Sequence, residues 1–161
     1  MLTDAGRSVF YTAYDDLAVD ALEFLAASSG PDAVTLFAEA RMAGSEGRYQ
    51  KRMANVAPET TPTQALAIAL SEDGYVASTL PSATGEQLCQ HHCPVAHVAQ
   101  RFPQICEVET AAFSRLLGVH VQRLATIAHG DGVCTTHVPH VSAPSGRTTT
   151  TDMTTSERAS S

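Results

Sequence analysis

The first sixty residues carry a hydrophobic pattern with the period of an α-helix. In the first predicted helix, acidic residues separate the apolar positions, so one apolar stripe is expected to face a partner. These apolar positions are Tyr14, Leu17, Ala18, Ala21, Leu22 and Leu25. Gly30 can end this helix and Pro31 can open a second one, which we expect to stop at the Gly-Ser-Glu-Gly break of residues 44–47. We predict that residues 11–60 form a helical linker and dimerisation segment.

The pattern changes after residue 60. Residues 61–64 read Thr-Pro-Thr-Gln, a capping-box start that predicts a helix to about residue 71. Residues 75–80 and 86–91 have the character of two strands around a Pro- and Gly-containing turn. They predict a β-hairpin.

Two helices and two strands are predicted between the hairpin and residue 140. Residues 94–101 and 105–117 have helical spacing, and Gly118 can end the second of these helices. Alternation of side chains predicts a strand over residues 119–128, and residues 133–138 are expected to pair back to it. The predicted fold class is therefore α/β (α+β), in which an N-terminal helical segment is followed by helices packed on one face of a small antiparallel sheet.

The last segment, residues 141–161, is expected to be a disordered tail. More than half of residues 142–161 are Ser or Thr, and large apolar residues are almost absent. Such a composition cannot bury enough surface to offset the entropy of ordering the chain.

Charge limits the partners that the chain can bind. The 161 residues include 10 Lys and Arg against 17 Asp and Glu, a net charge of -7, which is the wrong sign for holding nucleic acid. The one basic cluster, Arg48, Lys51 and Arg52, is interpreted as a solvated helix face. Because there is no apolar leader and no apolar run of membrane-spanning length, we expect a cytoplasmic protein with no membrane partner. In that compartment the four cysteines should be thiols or metal ligands.

Three cysteines, Cys93, Cys106 and Cys134, lie where helices or strands are predicted to begin or end. Their spacing is loose and matches no zinc finger. The positive ends of the two helices near Cys93 and Cys106 are expected to favour the thiolate forms. Thiolates on well-separated elements suit an iron–sulfur cluster, in which each iron binds its own cysteine, better than a single zinc ion. Three cysteines would leave one iron of the cluster without a protein thiolate. Such a cluster would react readily with oxidants, which is the property of a sensor.

The spacing leaves the fourth ligand open between Cys89, a histidine and an exogenous small molecule. The histidines in question are His91, His92, His120 and His129. Free cysteines of a cytosolic domain are also often small buried hydrophobic residues, so spacing alone leaves that interpretation open too. No nucleophile-and-base arrangement, P-loop or dinucleotide fingerprint occurs in the sequence, and we therefore expect no enzyme.

An ordered series of motifs is similar to that of a known family. The series consists of Cys93-Pro94, the Phe-Pro-Gln-Ile-Cys of residues 102–106, the Leu-Leu-Gly of residues 116–118, Arg123, and the His-Gly-Asp-Gly-Val-Cys of residues 129–134. With this series the chain resembles, over roughly residues 1–140, the SufR-type family of bacterial iron–sulfur-responsive transcriptional regulators. These regulators are usually homodimeric repressors of iron–sulfur assembly genes.

The resemblance implies a ligand set and a domain organisation. Cys93, Cys106 and Cys134 would bind a 4Fe–4S cluster. In some members another cysteine occupies the position of His120, so His120 is a candidate fourth ligand, and Cys89 is an added candidate. Residues 1–10 would be the remnant of a winged-helix wing, and residues 61–140 the iron–sulfur sensor domain.

The predicted function is therefore the redox- and cluster-sensing portion of a transcriptional repressor. Operator DNA would be contacted only through a winged helix-turn-helix domain that is absent from this chain. The alternative is a small-molecule- or zinc-binding regulatory domain without a cluster.

Overall fold

The computed structural model describes residues 4–141, in which helices pack on one face of an antiparallel sheet. The helices are α1 (Asp4–Ser29), α2 (Asp32–Ala54), α3 (Pro62–Glu72), α4 (Ala96–Arg101) and α5 (Gln104–Leu117), with a 3₁₀ turn at Ile127–His129. The strands are β1 (Ala77–Ser82), β2 (Gly85–Gln90), β3 (Gln122–Ala125) and β4 (Cys134–Pro139). This mixed architecture confirms the predicted fold class. None of the helices described is both long enough and apolar enough to cross a bilayer.

The sheet has the strand order β1-β2-β4-β3, so β2 and β4 are its central strands. The predicted hairpin is confirmed as β1 and β2, which pair in antiparallel register from Ala77 with Gln90 to Ser82 with Gly85. The turn contains only residues 83–84, because Pro81 belongs to β1. An edge strand tolerates proline, since one side of the strand forms no ladder hydrogen bonds.

Helix α3 begins as its sequence predicts. The Thr61 hydroxyl accepts a hydrogen bond from the Gln64 backbone N–H (3.2 Å), and the Gln64 side chain accepts one from the Thr61 N–H (3.1 Å). The Thr61 hydroxyl also donates to the Glu86 carboxylate, 3.1 Å away on β2. This capping box therefore fixes the start of α3 and attaches it to the sheet.

The predicted break at residues 44–47 is wrong, because α2 continues through it to Ala54. Buried residues recur along this helix at helical spacing, at Val34, Ala38, Met42, Ser45 and Tyr49. Packing of this stripe outweighs the low helix propensity of two glycines. The basic residues at 48–52 are consequently helical. Two of them pair with acids at the C-terminal end of α3: Arg48 contacts Asp73 (3.2 Å), and Arg52 contacts Glu72 (2.6 Å) and Asp73 (2.8 Å).

Helix α2 contributes residues to two hydrophobic clusters. Val34, Ala38 and Met42 belong to a hydrophobic cluster with residues of α1, α4 and α5. Further along the same helix, Tyr49 belongs to a second cluster, with Leu88 of β2. The predicted linker segment thus shares its core with residues 61–140. Residues 4–10, assigned above to a wing remnant, are the first turns of α1, and the predicted tail lies outside the described residues from position 142 onward.

The strand predicted over residues 119–128 is much shorter than expected. β3 covers Gln122–Ala125, and its pairing with β4 is irregular between Arg123 and Ala125. The Thr126 hydroxyl then accepts a hydrogen bond from the His129 N–H (3.3 Å), and the Asp131 carboxylate accepts one from the Thr126 N–H (2.9 Å). These side-chain bonds favour the 3₁₀ turn over a longer strand.

Two glycine substitutions test this architecture by urea unfolding. A Cβ at Gly44 would meet nothing within 4 Å, so Gly44→Ala should raise the free energy of unfolding by about 0.5–1 kcal/mol through helix propensity. A Cβ at Gly85 would lie 2.0 Å from the Val138 carbonyl oxygen. Gly85→Ala should therefore lower the free energy of unfolding by roughly 1–3 kcal/mol. A loss of stability in Gly44→Ala would contradict a continuous α2.

Candidate cysteine site

The register of the central strands brings two predicted ligands to neighbouring positions. Cys134, the first residue of β4, pairs with Gln90, the last residue of β2. Cys93 follows Gln90 by three residues. Because paired strands lie about 5 Å apart and three residues span at most about 10 Å, the backbones at Cys93 and Cys134 lie within roughly 15 Å of each other.

Cys106 reaches the same region from the first turn of α5. The N–H of Phe102 donates to the Val98 carbonyl (2.9 Å) and closes α4, and the Pro103 carbonyl accepts a hydrogen bond from the Cys106 N–H (3.0 Å). Pro103 is the N-cap of α5 and makes the connection between the helices tight. The local sequence therefore places Cys106 close to α4 and to the loop that carries Cys93.

The thiols of the three cysteines lie within electrostatic reach of one another. Burial raises the pKa of Cys93 to about 12 and the pKa of Cys106 to about 11. These pKa values include smaller upward contributions from the charges of Glu109 and Cys134. The prediction that helix ends hold these two residues as thiolates is wrong for the metal-free protein. Helix α4 begins only at Ala96, and burial dominates at both thiols.

Two of the three sulfur atoms accept a backbone hydrogen bond. The Val95 N–H donates to the Cys93 sulfur and lowers its pKa, opposing part of the effect of burial. The Ile127 N–H donates to the Cys134 sulfur at 3.2 Å, from the 3₁₀ turn. Hydrogen bonds to sulfur are among the features that stabilise cysteine ligands and tune iron–sulfur centres.

A buried polar network lies beside the thiols. The Arg123 guanidinium donates to the carboxylate of Glu109 (2.7 Å), to the side-chain oxygen of Gln90 (2.9 Å) and to the hydroxyl of Thr110 (3.2 Å). It also lies over the Phe113 ring, 5.6 Å from the ring centroid. The network thus joins three elements of the cysteine site. Strand β2 precedes Cys93, α5 carries Cys106, and β3 pairs with β4, which begins at Cys134.

Sequence reasoning did not find the roles of Gln90 and Glu109. The available signal is the position of Glu109, one helical turn from Ile105 and one from Phe113 on the buried face of α5. A carboxylate on an apolar face needs a partner. Arg123 appeared only within the family motif, and its bonds to Gln90 and Glu109 could not be derived from spacing.

The structure places the two favoured candidates for a fourth ligand away from the three thiols. Cys89 pairs with Thr135, one position from the Gln90–Cys134 pair, so its side chain points to the opposite face of the sheet. His120 precedes β3, whose Gln122 pairs with His137. Since each strand residue spans about 3.3 Å, this register separates His120 from Cys134 by on the order of 15 Å.

The other histidines make contacts of their own. His91 Nε2 lies 2.8 Å from the Ser78 hydroxyl, and Ser78 pairs with Cys89. His129 Nδ1 contacts the Thr126 hydroxyl within the 3₁₀ turn, and His92 is exposed. These contacts assign none of the three to the thiol site.

Cysteine thiolates are soft donors of the kind that iron–sulfur clusters take. Across residues 4–141, no three His, Cys, Asp or Glu side chains form a group that could hold one metal ion. In a cluster each iron takes its own thiolate, so the sulfur atoms need not meet at one point.

Comparisons of the chain with protein-family models, curated proteins and solved structures give no match.

The raised thiol pKa values predict how stability depends on pH. The folded metal-free protein retains protons that unfolded thiols release above their ordinary pKa of 9.0. The contribution of these protonated thiols to the free energy of unfolding is fully present below about pH 9. It is lost as the pH rises towards the pKa values of the two thiols in the folded protein. In urea unfolding of the reduced, metal-free protein, the wild type should lose more stability between pH 8 and pH 10 than Cys93→Ser/Cys106→Ser. Equal losses would show that burial of these thiols does not oppose their ionisation.

Proposed function

We propose that this chain is the iron–sulfur-sensing portion of a bacterial transcriptional regulator, a repressor of iron–sulfur assembly genes that acts in the cytoplasm. Cys93, Cys106 and Cys134 hold a 4Fe–4S cluster. The observation that carries the proposal is the electrostatic interaction among three thiols that are far apart in the sequence. The motif series shared with SufR-type regulators supports it, and no enzymatic activity is proposed.

When bound, a 4Fe–4S cluster supplies a redox-active centre that is sensitive to oxidants. The residues of the chain hold the cluster and limit access to it. The Cys134 thiol is buried and those of Cys93 and Cys106 are half-buried. The fourth coordination position is assigned to an exogenous small molecule, because Cys89 and His120 lie elsewhere. This assignment leaves one iron open to oxidants.

Two polar contacts support a route from the site to α1. Helix α4 follows Cys93, and its His97 contacts Asp16 of α1 (3.2 Å) while its Arg101 contacts Glu23 of α1 (2.5 Å). A movement of the Cys93 loop on loss of the cluster would therefore act on α1. In the proposed regulator, α1 leads towards a winged-helix domain outside this chain, which contacts operator DNA.

The exposed face of α1 supports the homodimer. Tyr14, Leu17, Ala21 and Phe24 follow the four- and three-residue spacing of a coiled-coil seam. Tyr14 is 73% exposed, Leu17 64% and Phe24 74%. Large apolar side chains in such a row are costly to leave in water, and the same row on a second copy would cover them.

Reconstitution under anaerobic conditions tests the ligand assignment. With ferrous iron and sulfide, the protein should turn brown and contain stoichiometric iron and sulfide. Cys93→Ser, Cys106→Ser and Cys134→Ser should each abolish the visible absorbance, because each removes a thiolate from the cluster. The measurement is the absorption spectrum together with iron and sulfide analysis.

Cys89→Ser is the matched control for these variants. Cys89 is buried on the opposite face of the sheet, so this variant should keep the wild-type spectrum. Loss of the colour in Cys89→Ser alone, or full colour in any of the other three, would overturn the ligand set.

Charge substitutions on α1 test the dimer. Leu17→Glu and Phe24→Glu place a carboxylate in the exposed row and should convert a dimer into a monomer in sedimentation or light-scattering measurements. Ile68→Glu on α3 is the control, because Ile68 is also an exposed apolar residue (49%) but lies outside the row. A wild-type monomer, or a dimer unaffected by both α1 variants, would contradict this interface.

An apolar cleft favours a second candidate function, the binding of a small molecule. The cleft has a volume of about 410 Å³ and lies between α1, α2 and the α4–α5 region. Its lining includes Leu22, Phe24, Phe37, Val98 and Ile105. A colourless reconstituted protein whose melting temperature rises with an apolar ligand would favour this function over the cluster.

A further inference from the structure

The ion pair between Arg123 and Glu109 is buried and fully engaged. A guanidinium nitrogen of Arg123 lies 2.7 Å from a carboxylate oxygen of Glu109, and the side chains of Arg123 and Glu109 are only 12% and 11% exposed. Gln90, which is 1% exposed, contacts both partners and completes the network. A buried pair of this kind adds little stability over apolar residues of similar volume, because removing both charges from water is costly. Stability alone therefore does not account for the pair.

The pair lies on the same side of the sheet as the thiols. Arg123 pairs with Thr136, and Cys134 precedes Thr136 by two residues, so Arg123 and Cys134 face the helices together. Glu109 lies on α5 one helical turn after Cys106. Thr110 accepts a hydrogen bond from Arg123 and donates one to the Cys106 carbonyl (2.8 Å). Two opposite charges are therefore fixed beside the cysteine site.

We propose that Arg123 and Glu109 are positioning residues that set the electrostatic potential at the cysteine site, with Arg123 favouring negative charge there and Glu109 opposing it. This inference rests on the proposed function. A cluster held by three thiolates is an anionic centre, and it gains one further negative charge when it takes up an electron. The oxidised-to-reduced ratio of the bound cluster should therefore respond to either residue.

The two residues should act with opposite sign. Removing the Arg123 charge disfavours the reduced cluster and lowers the midpoint potential, whereas removing the Glu109 charge raises it. A unit charge on the order of 10 Å away, at an effective dielectric constant of about 20, changes the oxidised-to-reduced ratio at a fixed potential by about tenfold. A purely structural pair would not give shifts of opposite sign.

The experiment is spectroelectrochemical titration of the reconstituted full chain, with thermal unfolding of the metal-free form measured beside it. Arg123→Gln should lower the midpoint potential and Glu109→Gln should raise it. Glu109→Gln/Arg123→Gln keeps hydrogen-bonding groups without charge and should return the potential close to the wild-type value. This double variant tests whether the two opposite shifts cancel.

Two further variants separate charge from geometry. Arg123→Lys keeps the charge but loses the planar donor fork, so its potential should stay near the wild-type value while the melting temperature of the metal-free form falls. Arg115→Gln on α5, the helix of Glu109, removes an exposed arginine paired with Glu46. This variant should leave the midpoint potential unchanged.

The outcomes distinguish this inference from the proposed function. A wild-type protein that takes up no cluster overturns both. A wild-type cluster whose potential moves in the same direction in Arg123→Gln and Glu109→Gln, or in neither, overturns only the role of the ion pair.

Discussion

The pairing of Gln90 with Cys134 is the contact on which the arrangement of the cysteine site depends. It joins the ends of the two central strands, fixes which face of the sheet each side chain takes, and brings the loop of Cys93 beside the start of β4. The Gln90 side chain then contacts Glu109 and Arg123, so the same residue orients α5 and β3. A shift of this register by one residue would turn Cys134 to the face now occupied by Cys89.

Much of the fold could be predicted from the sequence, because its signals are local. The capping box at Thr61, the hairpin and the end of α5 at Gly118 each depend on neighbouring residues. The prediction failed where distant contacts outweigh local preference. Buried Ser45 and Tyr49 hold α2 together across two glycines, and Thr126 ends β3 through its own hydrogen bonds.

The candidate site was predictable in part. The motif series pointed to three cysteines, whose thiols influence one another electrostatically in the structure. The motif series could not reveal that Cys89 lies on the other face of the sheet, because the face that a side chain takes depends on strand register. Nor could it give the protonation of the thiols, which depends on burial and on Glu109, a residue one helical turn from Cys106. Spacing along a chain carries information about helix and strand periods but little about solvation.

Burial of the thiols has an energetic consequence for metal uptake. In the proposed sensor, cysteine would bind the cluster as the thiolate, so loading would displace protons that the buried thiols retain. The free energy of forming several metal–sulfur bonds would have to exceed the cost of ionising these side chains.

Both borders of the sheet resist extension. At one border, Pro81 supplies no N–H for a further strand, and at the other the irregular register beside Arg123 interrupts the ladder. Fibril-like stacking of copies through their strands is disfavoured as a result. The sheet edges therefore offer a poor template for amyloid growth.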